Sequence, residues 1–306
     1  MWPSLAPGCL AAADVGQAVG WIKKRESSTN REESRMIPAP FAYHRPRSLD
    51  ETCGLLAQLG EDARIVAGGQ SLIPMMKLRL ARPEHLVDLQ DLEELRGIQS
   101  GPDRLIVGAM TTQHELISSE LLTRRCPIIR EAALQIADPQ VRYCGTLGGN
   151  VANGDPGNDM PAVMMALDGR YRLRSRDGER EVAAREFYRG VYSTALQPDE
   201  ILVSVRIPAP PEGHGYAYEK QKRKVGDYAT AAAAVMLTMS GGTCISAAIA
   251  LTNVGETPLF AKDAGEAVLS TTVDDAAISE AVRRARAIAN PSADGHGLIR
   301  AKERAA

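Results

Sequence analysis

The sequence predicts an α+β fold with mixed sheets rather than a doubly wound parallel one. Three observations carry this. From Met36 onward, helix-like and strand-like segments alternate; the second half, from YRLRS at 171–175, turns strand-rich; and two amphipathic stretches near the C-terminus close the chain as helices.

The elements follow in order. SLDETCGLLAQLG (48–60) reads as a helix, with Ser48 and Glu51 spaced as a capping box, leucines at helical intervals and Gly60 as the stop. ARIVA (63–67) is a short strand that runs at once into the glycine pair of AGGQS. EHLVDL and RLIVGAM read as strands, and TTQHELISS opens a second capped helix. PIIREAALQIA is helical after Pro127. The stretch GTLGGNVANGDPGND (145–159) then reads as a long loop, with a helix from about Met160. EILVSVRI and GYAYEKQK are strands, and 230–254 reads as a hairpin turned at Ser240–Gly242. Two helices, within 256–269 and 272–289, complete the pattern.

PAPPEG (208–213) is the best linker candidate. We therefore expect a domain over 36–211, in two lobes of about 36–89 and 90–211, and a smaller α+β domain over 212–306. Residues 1–35 differ in composition and carry no period, so a disordered leader is expected, with Met36 as the natural start.

Composition narrows the function. A net charge of −2 and only 4% aromatic residues argue against nucleic-acid binding and base-stacking surfaces. Cys9, Cys53, Cys126, Cys144 and Cys244 have no paired spacing, which argues against an iron–sulfur or zinc site built by this chain alone. The longest apolar run is too short to span a bilayer.

Two glycine turns carry the chemistry. Ala67, Gly68, Gly69, Gln70 and Ser71 end a strand, where glycines let consecutive N–H groups converge on an anion and Ser71 adds a hydroxyl. Thr146, Leu147, Gly148, Gly149 and Asn150 repeat that chemistry some eighty residues later. Neither turn is a G-x-G-x-x-G dinucleotide fingerprint or a nucleoside-triphosphatase loop. The first, taken alone, reads more readily as a tight strand-to-helix turn without a ligand. Together they suggest a diphosphate held between two lobes, and a dinucleotide rather than a hydrolysed triphosphate. Asp159 stands where its carboxylate would cap a helix or bond a ribose hydroxyl.

AGGQSL, GTLGGNVANGDPGNDMPAVMMALDG and KRKVGDYATAAAAV together resemble the FAD-binding subunits of molybdenum hydroxylases. The similarity runs from MIPAPFAYHRP through SLIPMMKLRLARPEHLVDL and IADPQVRYCGTLGGN to ALTNV. ANGDPGNDMPA and GDYATAAAAV are closest to the aerobic carbon monoxide dehydrogenase branch. The resemblance implies a two-lobed FAD-binding domain of the PCMH/vanillyl-alcohol-oxidase type followed by a smaller α+β domain. It implies that Ala67–Ser71 and Thr146–Asn150 wrap the FAD diphosphate and that Asp159 bonds ribityl or ribose hydroxyls. It further implies that the Leu202 backbone lies along the flavin, that Tyr228 lies against the isoalloxazine ring, and that Lys220 sits close to it. Ile136 would fall beside the adenine. On the residues alone, Asp159 is also an N-cap, Tyr228 a core aromatic, and Lys220 to Lys224 a solvated basic face.

The function so implied is electron transfer. Substrate is oxidised at a molybdenum cofactor on a large partner subunit, and [2Fe-2S] clusters on a small one pass electrons to FAD on this chain. No side chain is expected to act as acid, base or nucleophile. A dimer of heterotrimers and a cytoplasmic location follow from the same resemblance, with peripheral association at the inner face of the membrane through the complex left open. The alternatives are a related hydroxylase acting on aldehydes, purines or nicotinate, a free-standing flavin reductase, and a non-catalytic nucleotide-binding scaffold.

Overall fold

A computed structural model of the chain describes residues 36–292; the expected leader and the C-terminal residues 293–306 lie outside them. The described residues fall into two compact units, one of 36–40 and 71–82, the other of 41–70 and 83–292. The first unit carries a six-residue helix at Leu72–Lys77.

The second unit begins with strand β1 (Ala42–His44), helix α1 (Leu49–Leu59) and strand β2 (Ala63–Val66). The Ser48 hydroxyl accepts the Glu51 N–H, and Gly60 ends α1 at φ +57°. The box is open on its other side, because the Glu51 carboxylate takes the Arg47 N–H instead. With the Leu72–Lys77 helix counted as α2, β3 (His85–Asp88) lies between β1 and β2, parallel to both. Leu49, Cys53 and Leu56 of α1 pack with Val87 and Leu89 beneath this sheet.

An antiparallel sheet follows in the order β4 (Ile98–Ser100), β5 (Arg104–Gly108), β10 (Ile201–Pro208), β6 (Arg170–Ser175), β7 (Gly178–Ala183). Between β5 and β6 the chain winds through six helices: α3 (Gln113–Ser118), α4 (Glu120–Arg125), α5 (Pro127–Gln135), α6 (Pro139–Cys144), α7 (Leu147–Ala152) and α8 (Asp159–Ala166). Every residue of α8 is buried, as expected of a helix that is apolar all round after its first residue, Asp159. A short helix α9 (Ala184–Phe187) leads into a small hairpin, β8 (Tyr188–Gly190) and β9 (Ser193–Thr194).

The last sheet, β11 (Gly215–Gln221), β12 (Ala231–Ser240), β13 (Thr243–Thr252) and β14 (Leu259–Phe260), is antiparallel throughout. Gly241 and Gly242 both take positive φ at the β12–β13 turn, the conformation a two-residue hairpin turn requires. Helices α10 (Lys262–Val268) and α11 (Asp275–Ala287) cover one face of this sheet. Tyr218, Ala232, Ala234 and Ala250 of the sheet share a core with α5 and α8. Parallel and antiparallel pairings thus fall in separate sheets, where the sequence suggested mixing within them.

Candidate functional site

Ala67 to Gln70 leave the C-terminal end of β2. Gly69 takes φ +70°, and the N–H groups of Gly68, Gly69 and Gln70 meet no acceptor among the described residues. Consecutive unspent amides beside a positive-φ glycine make a concavity suited to an anion. Ser71, in the other unit, has helical backbone angles (φ −103°, ψ −49°), and its hydroxyl caps nothing.

The second glycine stretch is a helix, not the loop its composition suggests. The Thr146 hydroxyl accepts the Gly149 N–H at 2.9 Å and starts α7. Its amides are spent inside the protein. Leu147 donates to the Thr111 carbonyl (2.9 Å), Gly148 to Ala109 (2.8 Å) and Asn150 to Thr146 (3.0 Å). Gly148 is obligatory there, since a Cβ would stand 2.6 Å from that of Ala109. Gly149 is the exposed member, a bare patch of backbone.

The two stretches meet. A Cβ on Gly68 would lie 2.2 Å from the Cys144 carbonyl oxygen and 2.8 Å from Gly145 Cα, so the backbones touch. A Cβ on Gly149 would fall 2.9 Å from the Thr146 hydroxyl and 3.7 Å from Ala67 Cβ. The first turn therefore supplies open donors, and the second supplies a close-packed floor with no side chain on it.

The remainder of GTLGGNVANGDPGND is pinned throughout. Asn150 accepts the Asn158 side-chain amide on its carbonyl (2.8 Å) and the Met160 N–H on its own amide oxygen (3.2 Å). The Asp155 carboxylate takes the Gly157 N–H (2.9 Å) and the Tyr192 hydroxyl (3.1 Å), and the Pro156 carbonyl takes the Asn253 N–H (3.0 Å). Burial and the Asp155 charge push the Tyr192 hydroxyl up to about 12.

Asp159 does not cap α8. It is the first helical residue, Asn158 before it makes no side-chain cap, and its carboxylate is buried against β11. One oxygen accepts the Tyr218 hydroxyl and the other the Lys220 ammonium at 2.9 Å. Burial pushes this carboxyl up, against the pull of Lys220 and Tyr218. Lys220 is no part of a solvated face: its side chain is 1% exposed and also donates to the Gln135 carbonyl at 3.2 Å. Strand alternation, which puts Tyr218, Lys220 and Lys222 on one face, was the signal available in GYAYEKQK.

Tyr228 is exposed rather than in the core, and its ring edge lies 3.2 Å from where a Gly157 Cβ would stand. Leu202 is buried in β10, next to Val203, whose carbonyl holds the Ala109 N–H at 2.9 Å. Through Ala109 that strand is tied to Gly148. Ile136 is buried, and its carbonyl accepts the Arg142 guanidinium at 2.9 Å. Arg142, which also reaches the Ala137 carbonyl, and Asn253 lie inside the quoted stretches IADPQVRYCGTLGGN and ALTNV but are assigned no role there, because their partners are backbone carbonyls that the sequence does not mark.

Unspent amides at Gly68–Gln70 beside the bare backbone of Gly149 are chemistry suited to a diphosphate. Residues 39–210 match the FAD binding domain in molybdopterin dehydrogenase, and 216–302 match the CO dehydrogenase flavoprotein C-terminal domain. The chain belongs to the FAD-binding flavoprotein family of the molybdopterin dehydrogenases, and is an oxidoreductase subunit. It is 59% identical over 262 residues to the carbon monoxide dehydrogenase medium chain of Afipia carboxidovorans, covering 86% of this chain and 91% of that one. The corresponding chain of Hydrogenophaga pseudoflava is 47% identical over the same shares. Among solved structures, reconstituted CO dehydrogenase from Oligotropha carboxidovorans superposes with a TM-score of 0.87 at 58% identity, covering 88% of this chain and 94% of that one. The residues present fit FAD: open amides at Gly68–Gln70 suit a diphosphate, and the side-chain-free floor at Gly149 admits it closely.

Proposed function

We propose that this chain is the FAD-bearing electron-transfer subunit of a carbon monoxide dehydrogenase, working with an iron–sulfur small subunit and a molybdenum large subunit. The observation that carries it is the contact of the two glycine stretches, on a chain whose identity to two medium chains is 59% and 47%. Identity falls to 38% for the caffeine dehydrogenase subunit and 32% for the xanthine dehydrogenase subunit of Escherichia coli, which favours the carbon monoxide branch.

In this reading Ala67–Ser71 and Thr146–Asn150 hold the diphosphate, the Leu202 backbone runs along the flavin, and Tyr228 covers the ring. The bound flavin supplies the chemistry, taking electrons singly and releasing them in pairs to an external acceptor. The chain's own residues bind, orient and cover; none moves a proton. The FAD-binding domain spans 36–211 and the C-terminal domain 212–306, and the complex is a dimer of heterotrimers. Among the described residues no helix is long and apolar enough to cross a membrane. We place the complex in the cytoplasm, at the inner face of the membrane when peripherally bound.

The test is purification with both partner subunits and anaerobic addition of carbon monoxide. Bleaching of the flavin absorption by carbon monoxide, and not by xanthine or an aldehyde, is expected. A chain that carries flavin but copurifies with neither partner would favour a free-standing reductase.

A further inference from the structure

Away from the glycine turns, one guanidinium joins the two family-matched parts of the chain. Arg185 stands in α9, inside the stretch that matches the FAD binding domain, and Phe260 in β14, inside the stretch that matches the flavoprotein C-terminal domain. The Arg185 guanidinium carbon lies 3.7 Å from the centroid of the Phe260 ring, within the range of a cation–π contact. The same side chain donates through Nε to the Met165 carbonyl at 3.0 Å and pairs with the Asp168 carboxylate at 3.3 Å. Met165 lies in the last turn of α8, where carbonyls run short of helical partners and a cation is favoured. Two polar anchors on one side therefore fix the guanidinium, and its face meets the ring on the other.

Phe260 stands where such a hold matters. β14 is two residues long and forms the edge of its sheet, paired with β13 through Ala250 opposite Phe260 and Leu251 opposite Leu259. β13 ends at Thr252, and the next residue, Asn253, donates its N–H to the Pro156 carbonyl at 3.0 Å and its side-chain amide to the Ala229 carbonyl at 2.5 Å. Ala229 adjoins Tyr228 in the chain. The strand pair that carries Phe260 thus ends in the residue that ties down the neighbour of Tyr228.

We infer that Arg185 is a positioning residue, whose guanidinium clamps the edge of the C-terminal sheet to the end of α8 and, through Asn253, steadies Tyr228. The clamp stands on geometry; its consequence for the flavin rests on the reading that Tyr228 covers the ring. A lysine in its place keeps the charge but gives up the planar face that stacks on Phe260.

The experiment is a double-mutant cycle of Arg185→Met and Phe260→Leu in the copurified complex, with Arg185→Lys and Phe260→Tyr alongside. It is read by bound-flavin fluorescence, which a tyrosine against the ring quenches, and by amide hydrogen exchange. Phe260→Leu keeps both polar bonds of Arg185 and removes the ring. It should raise flavin emission and speed exchange in 226–230 and 258–261 by about 2- to 30-fold, the span of one cation–π contact. Arg185→Met and Arg185→Lys should do the same, and Phe260→Tyr, which keeps a ring, should match wild type. In the double variant the two effects should fall well short of multiplying. Effects that multiply would mean that the two side chains act independently, and would overturn the inference. So would an Arg185→Lys complex indistinguishable from wild type, or a Phe260→Leu complex with wild-type emission and wild-type exchange in 226–230, since Arg185 would then only cap α8. If Arg185→Met does not accumulate, Arg185→Lys takes its place in the cycle. A wild-type complex without flavin would sink the FAD reading and not the clamp, which hydrogen exchange still decides.

Discussion

Replacing Gly68 by alanine tests the contact on which the site depends. The added Cβ would lie 2.2 Å from the Cys144 carbonyl oxygen and 2.7 Å from its carbon, both backbone atoms that no rotamer change can move. Ordinary contact begins at 3.4 Å, so the two stretches must part by about 1.2 Å. Overpacking of this kind costs about 1–3 kcal/mol, or roughly 2–12 °C in Tm for a domain of this size. The parting also carries the open amides of Gly68–Gln70 out of hydrogen-bond range of a diphosphate seated on Gly149. One lost charge-assisted bond is worth about 1.5–3 kcal/mol, so FAD affinity should fall about 10- to 100-fold. Flavin fluorescence titration of the purified complex reads the affinity, and a thermal scan of the apoprotein reads the strain. A Gly68→Ala complex with wild-type affinity and wild-type Tm would refute the reasoning.

Other outcomes follow from the same geometry. Thr146→Ala removes the bond to the Gly149 N–H that starts α7, and should cost about 1 kcal/mol by chemical denaturation. Gly54→Ala is expected to stabilise by about 0.5–1 kcal/mol, because Gly54 lies inside α1 and a Cβ there meets nothing within 4 Å. The Glu200 carboxyl is pushed up by burial but pulled further down by the Arg180 guanidinium and the Gln197 N–H, for a net lowering. Its contribution is therefore full above the ordinary carboxylate range and lost as pH falls through the lowered value. The Tm difference between wild type and Glu200→Gln should be present at neutral pH and shrink below about pH 4; a difference constant with pH would contradict the assignment.

What could be read from the sequence was what local chemistry fixes. Helix α1 announced itself through Ser48 and Gly60, and the β12–β13 hairpin through Gly241 and Gly242. Helix α7 escaped notice because glycine disfavours a helix by about 1 kcal/mol per residue. Here a Thr146 cap and the approach of Gly148 to Ala109 outweigh that preference, and the approach is a tertiary fact. Asp159 stood where a cap belongs, but its partners lie on β11, 59 and 61 residues along the chain. The glycine turns were legible as chemistry; which of them keeps its amides open was not, because that depends on Thr111 and Ala109.

The most direct test of the account is an experimental structure of the complex with FAD bound. The account predicts the diphosphate oxygens within hydrogen-bond distance of the Gly68, Gly69 and Gln70 N–H groups, seated on the bare backbone at Gly149. A diphosphate bound elsewhere, with those three amides left to solvent, would contradict it.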